Sequence, residues 1–129
     1  MIECVAIIIK DGDKILVAKR TDSNEWASPG GHIKTGETPR QAVIRETQEE
    51  MGTSIINPHM IYQIDFETPE GELGHDYLFV ADDYSTEPKA DGKEMKNAMW
   101  VTREELNHMK LYKPFQEFLE MYDKLERRK

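Results

Sequence analysis

Between residues 31 and 52 the chain carries Glu37, Arg45, Glu46, Glu49 and Glu50 in a segment that opens on Gly30, Gly31 and Gly36 and closes on Gly52. Glu46, Glu49 and Glu50 are related by i, i+3 and i+4. On a helix that spacing brings side chains within about 5–6 Å of one another. Like charges so close destabilise a bare helix, and two of the three fall in its last turn, where the helix dipole disfavours anions. A bound hard cation removes both objections, since Mg²⁺ takes oxygen ligands in octahedral geometry. The plain alternative is a solvated acidic face, which suffices for an isolated Glu-Glu pair. Here an arginine precedes the cluster and a Gly-rich loop feeds it. Cations held in this way cleave phosphate anhydrides by neutralising phosphate oxygens, orienting a water and stabilising the leaving phosphate. A carboxylate takes the proton of that water.

The elements that position these residues are legible around them. Thr38 is a good N-cap, Pro39 suits the first helical position, and Gln41 completes a Thr-x-x-Gln capping box. Gly52 is the expected residue past the helix end, so the spacing predicts a helix over 39–51. Val43, Ile44, Thr47 and Met51 form its core-facing stripe, with the glutamates on an adjoining face. Upstream, Ile2–Lys10 and Lys14–Arg20 read as strands joined in a hairpin by Asp11-Gly12-Asp13. Residues 26–36 are too rich in Gly and Pro for a regular element. Downstream, strand character over 53–66 is broken at Asn57-Pro58. A turn-rich loop covers 67–74, and His75–Ala81 is a further strand. A polar loop of about fifteen residues follows over 82–97, a length that is uncommon without a functional reason. Ala98–Val101 reads as a short strand. A second capping box, Thr102 with Glu105, opens a brief helix to about Met109, and Pro114 begins a C-terminal helix to about Glu126. Strands, helix, strands and helix in this order predict an α/β sandwich around a mixed sheet.

Composition narrows the function classes. A chain of 129 residues is the size of one domain, 1–129, able to bury a real core. A net charge of −8 argues against a general nucleic-acid binder, yet allows an anionic substrate if a cation inverts the local field. The single cysteine, Cys4, excludes an intrachain disulfide, fits a reducing compartment, and reads as an inert core residue. The apolar run Cys4–Ile9 is too short to span a membrane and lacks the flanks of a signal peptide. The expected location is the cytoplasm. The four histidines show no metal-ligand spacing and read as surface or loop residues.

The segment resembles the Nudix box, Gly-x5-Glu-x7-Arg-Glu-U-x-Glu-Glu-x-Gly-U, where U is a bulky aliphatic residue. Gly31, Glu37, Arg45, Glu46, Glu49, Glu50 and Gly52 fall in register, while Thr47 and Thr53 occupy the two U positions. Trp26-Ala-Ser-Pro-Gly-Gly31 is similar to the lead-in to that box. Trp100-Val-Thr-Arg-Glu-Glu-Leu106 is similar to a segment late in the same domain. The resemblance covers nearly the whole chain. It implies a Nudix α/β/α sandwich with a central mixed sheet and hydrolysis of a nucleoside diphosphate linked to another moiety. It implies that Glu46, Glu49 and Glu50 ligate Mg²⁺, or Mn²⁺, with the Gly31 carbonyl nearby, and that Arg45 holds the carboxylates by bidentate pairing. Glu37 would brace loop and helix, with a weaker claim on metal. Gly30, Gly31 and Gly36 would permit positive φ and close approach of phosphate. Glu49, Glu46 and Glu94 are the candidate bases. Glu94 lies six residues before Trp100, where the MutT-type branch has a loop glutamate near the metal; a surface charge is its other reading.

Small size is similar to the MutT-type enzymes, implying a nucleoside triphosphate cleaved to nucleoside monophosphate and pyrophosphate by a monomer or homodimer. The base-reading Asn of that branch would fall just before Pro114, where this chain has Tyr112-Lys113. Pro69 matches the spacing of a proline in ADP-ribose-cleaving relatives, though Thr68-Pro69-Glu70-Gly71 is equally a turn. An ADP-ribose or nucleotide-sugar pyrophosphatase, or a nucleotide-sensing domain without turnover, therefore stays open. Arg20 is a candidate phosphate contact at the end of the second strand. Tyr62, Phe66, Tyr77, Phe79 and Tyr112 either stack on a base or belong to the core, and Trp26 and Trp100 read as structural.

Overall fold

The structure, a computed structural model, describes residues 1–128; Lys129, the last residue of the expected domain 1–129, lies outside them. Seven strands, β1 (Ile2–Asp11), β2 (Lys14–Arg20), β3 (Trp26–Ala27), β4 (Gly30–His32), β5 (His59–Glu67), β6 (Leu73–Ala81) and β7 (Met95–Thr102), form a mixed sheet with α1 (Pro39–Met51), α2 (Arg103–Leu106) and α3 (Lys113–Arg127). This is the α/β/α sandwich with a central mixed sheet that the resemblance implies, and it agrees with the α/β sandwich expected from the order of elements.

β1 and β2 pair only at their turn, Lys10 with Ile15 and Asp11 with Lys14. Beyond it they diverge. β1 runs parallel to β6 from Ile2 opposite Gly74 to Ile9 opposite Ala81, and antiparallel to β4. β2 pairs antiparallel with β7 and β3. β5 closes one edge against β6. The hairpin thus splits into two wings, and β4 carries the Gly-rich loop along β1. The core fills with Ile7, Ile8, Ile9, Leu16 and Val17, all essentially inaccessible. These continuous apolar runs belong to strands covered on both faces.

Both capping boxes form. Thr38 Oγ1 accepts from Gln41 N while Gln41 accepts from Thr38 N, and Thr102 with Glu105 does the same. Gly52 ends α1 at φ 62°, in the left-handed region where glycine carries no Cβ penalty. On α3, Phe115, Phe118, Leu119 and Tyr122 are buried, an i, i+3, i+4, i+7 stripe.

Several sequence expectations are corrected. Residues 26–36 do contain regular elements, because β3 and β4, although only two and three residues long, are held by neighbouring strands rather than by propensity. β7 begins at Met95, not Ala98; its pairing with β2 continues through an irregularity between Val17 and Lys19, and Asn97 adopts φ 55° there. The polar loop is correspondingly shorter. α2 stops at Leu106 rather than Met109. Cys4 is half-buried rather than a core residue. Of the histidines read as surface or loop residues, His32 and His59 are exposed on strands, and only His75, half-buried on a strand, departs from that reading. Along α1, Val43, Thr47 and Met51 are buried as expected, but Ile44 is half-buried and Glu50 is buried with them. Among the described residues no helix is long and apolar enough to cross a membrane.

Candidate active site

The site is built where α1, β4 and the loop before β7 meet. Gly30 and Gly31 are not at positive φ. Of the three expected loop glycines only Gly36 is, at 87°. Gly31 is required instead by close approach: a Cβ there would lie 2.5 Å from the Glu46 carboxyl carbon. Gly30 donates its N–H to Glu50 Oε1 at 3.1 Å, which helps to satisfy a carboxylate buried to 5% exposure.

Arg45 organises the cluster. Its Nε and Nη2 donate to both Glu37 oxygens at 2.6 and 2.9 Å. Nη1 donates to Glu46 at 2.9 Å and Glu49 at 3.2 Å, and Nη2 also reaches the His32 carbonyl at 3.0 Å. Glu37 is fully engaged, also accepting from Lys34 N at 2.8 Å. These bonds, Arg45 first, hold its carboxyl down at about 2.

Glu94 arrives from 43 positions beyond Met51 because its loop closes the end of α1. The last carbonyls of a helix lack intrahelical partners; here Lys89 N donates to Met51 O and Asp91 N to Glu50 O, both at 2.8 Å. The Asp91 carboxylate accepts from the backbone N–H groups of Lys93, Glu94 and Met95 at 3.1–3.2 Å, and Thr21 Oγ1 donates to Lys93 O at 2.7 Å. Neither Asp91 nor Thr21 stood out in the sequence. The only signal was an Asp-Gly turn at the end of a polar loop.

The outcome is that Glu46, Glu50 and Glu94 bring carboxylate oxygens within 4.8 Å of one another. Burial, then the neighbouring Glu46 and Glu94 charges, pushes the Glu50 carboxyl up to about 8 against the Gly30 hydrogen bond. Burial also raises Glu46 despite Arg45. Such a set is under-compensated: three hard oxygen donors, two of them desolvated, converge with one arginine at their edge. A divalent cation of the Mg²⁺ or Mn²⁺ type fits that donor set. Glu49 is outside the trio. Its side chain is 52% exposed and held through Arg45.

A cavity of about 700 Å³ opens beside the trio. Glu50, Gly30 and Gly31 line it, together with Arg20, Tyr112, Asp76 and the apolar Phe66, Leu78 and Phe118. The Arg20 guanidinium sits 4.0 Å from the Tyr112 ring centroid and pairs with exposed Asp22 at 2.8 Å. Pro69 and Cys4 line the cavity too; Pro69 also sits in a turn in which Gly71 N donates to Thr68 O. Burial pushes the Cys4 thiol up to about 11, which makes it inert as a nucleophile. Of the aromatic candidates, Phe66 and Tyr112 line the cavity, Phe79 is core, Tyr62 is exposed, and Tyr77 donates to Glu3 at 2.9 Å.

Comparison with known proteins gives the family. The family described as the NUDIX domain matches residues 2–122. "Uncharacterized Nudix hydrolase YvcI" of Bacillus subtilis (strain 168) is 32% identical over 69% of this chain, a match spanning 59% of that protein's own length. The "8-oxo-dGTP diphosphatase" of Escherichia coli (strain K12) is 31% identical over 80% of this chain and 81% of its own. The solution structure of the E. coli ORF135 protein superposes with a TM-score of 0.82 at 30% identity, covering 98% of this chain and 91% of the other. The chain belongs to the NUDIX family, within its small MutT-like members, and its class is that of the Nudix pyrophosphohydrolases.

Proposed function

We propose that residues 1–129 act as a single cytoplasmic Nudix domain that hydrolyses a nucleoside triphosphate to nucleoside monophosphate and pyrophosphate with Mg²⁺, Mn²⁺ being the alternative ion. The observation that supports it is the convergence of Glu46, Glu50 and Glu94 beside a cavity whose size, about 700 Å³, is that of a small-molecule site. Glu46, Glu50 and Glu94 would hold the ion, with the Gly31 backbone beside them. Bound there, it supplies charge neutralisation at the phosphate oxygens and an activated water.

The rest falls to the chain's own groups. Arg45 fixes the orientation of Glu46 through a charge-assisted bond and is itself held by Glu37. Glu49, exposed and outside the trio, would be the base that takes a proton from water and releases it to solvent; Glu46 and Glu94 are the other candidates. Arg20 adds positive charge to a cavity wall in an otherwise acidic protein and would meet a substrate phosphate. The apolar lining, Phe66, Leu78 and Phe118, would take the nucleoside. An ADP-ribose or nucleotide-sugar substrate is the second reading, favoured by Pro69 in the cavity wall.

The test is product analysis over nucleoside triphosphates, ADP-ribose and nucleotide sugars with Mg²⁺. Nucleoside monophosphate and pyrophosphate in equal amounts from a triphosphate supports the first reading. Faster release of AMP and ribose 5-phosphate from ADP-ribose replaces it with the second. Tight binding without turnover of any compound points to a sensing domain.

A further inference from the structure

Asp91, on the loop before β7, takes no part in the chemistry above, yet its bonds reach the backbones of two members of the trio. Its N–H donates to Glu50 O at 2.8 Å, across the end of α1. Its Oδ1 accepts from the N–H groups of Lys93, Glu94 and Met95 at 3.1, 3.2 and 3.1 Å. Gly92, at φ 80°, lets the chain turn around that oxygen, and its own N–H donates to Met95 O at 2.8 Å. From the other side Thr21, just past β2, donates its N–H and Oγ1 to Glu94 O at 3.0 and 3.2 Å. Glu94 needs this fastening. It is exposed and precedes the first residue of β7, so burial does not hold it. Arg45 donates to Glu46 and Glu49, whereas Glu94 faces the like charges of Glu46 and Glu50, which drive it toward solvent.

We propose that Asp91 is a positioning residue of the cation site: its side chain fixes the backbone at Glu94 and its N–H ties that turn to the end of α1, holding Glu94 against Glu46 and Glu50. The proposal rests on the cation reading of the trio. The requirement is for an acceptor rather than for charge. All three side-chain bonds go to one oxygen, and asparagine offers such an oxygen too. Alanine leaves the N–H groups of Lys93, Glu94 and Met95 to water. The released segment gains conformational freedom that cation binding must then remove, so affinity for the ion falls although no ligand has been lost. Partners that orient a metal ligand in this way are worth roughly 10- to 100-fold in metal affinity. An aspartate that only shaped a surface turn would leave that affinity alone. The bond from Asp91 N to Glu50 O is what makes this turn part of the site.

The experiment titrates Mn²⁺ alone, followed by the paramagnetic resonance signal of the free ion, into the wild type, Asp91→Ala, Asp91→Asn, Glu94→Gln and the double variant Asp91→Ala with Glu94→Gln. Amide hydrogen exchange over residues 91–95 is measured by mass spectrometry on the same proteins without metal. Alanine should weaken Mn²⁺ binding about tenfold or more and speed exchange over 93–95, with the wild-type circular dichroism spectrum kept. Asparagine should stay within about threefold of the wild type in affinity and keep exchange slow. In the double variant the two losses should not multiply, because Asp91 acts through Glu94. Unchanged exchange or unchanged Mn²⁺ affinity in Asp91→Ala, losses that multiply in the double variant, or asparagine as damaging as alanine would each overturn the proposal. Absence of Mn²⁺ binding by the wild type would instead overturn the cation reading, and the exchange rates would then decide by themselves whether Asp91 holds the backbone at Glu94.

Discussion

At the carboxylate trio, charge is crowded but organised; on β6, the Asp76 carboxylate stands alone. Glu46 and Glu50 accept from Arg45 and Gly30, and Glu94 is delivered by a loop pinned to the last turn of α1. Asp76 has none of this: its Oδ1 is buried without a hydrogen-bond partner among the described residues. Both are places where the fold tolerates destabilisation, by like-charge crowding in one case and desolvation in the other, and each is relieved differently. A crowd of oxygens within 4.8 Å is relieved by a small cation. An enclosed lone carboxylate is relieved by a proton.

The largest effect that separates the two regions should come from Gly31→Ala. Its Cβ would press on the Glu46 carboxyl, and we expect hydrolysis to fall at least 100-fold by initial-rate assay. Arg45→Lys is next. Lysine cannot reproduce the bidentate bonds to Glu37 or reach Glu46 at the same time, and a roughly 10- to 100-fold loss of Mg²⁺ affinity by titration is expected.

Asp76→Asn acts on the other region, through stability. The folded carboxyl is raised from 3.8 to about 6, so between about pH 4 and pH 6 the folded state holds a proton that the unfolded chain has released. Stability therefore falls as pH rises through that window, and the full cost is present above it. Asparagine removes it, and should stabilise the protein by on the order of 2 kcal/mol at pH 7 and by little at pH 4, read from denaturant melts at both values. A gain at pH 4 equal to that at pH 7 would contradict an ionised, unpartnered Asp76. The smallest effect is the control that belongs to neither region. Thr102→Ala removes the cap of α2 and should cost about 1 kcal/mol with hydrolysis unchanged.

What the sequence revealed was local. The caps of α1, its length and the helical spacing of Glu46 and Glu50 depend on residues within four positions of each other, and the structure matches them. What it hid was set by partners far along the chain. β3 and β4 exist because β2 and β1 pair with them; a two- or three-residue strand has no periodicity to detect. Glu50 on the buried side of α1 could not be told from Glu49 by spacing alone, because the distinction is made by Gly30 on another strand. Asp76 sat in plain view in an alternating strand, but only the three-dimensional cavity shows that its face is enclosed and that no donor reaches it.

The account stands most directly on Glu50, which belongs both to the trio and to the cavity wall. The decisive measurement is pyrophosphate release from a panel of nucleoside triphosphates with Mg²⁺ by the wild type and by Glu50→Gln, with chelator added to each. We predict release by the wild type that is abolished by chelator, and a rate at least 100-fold lower in the variant with its fold intact by circular dichroism. Equal rates in the two proteins, or release that survives the chelator, would contradict a cation held by Glu46, Glu50 and Glu94 as the centre of the chemistry.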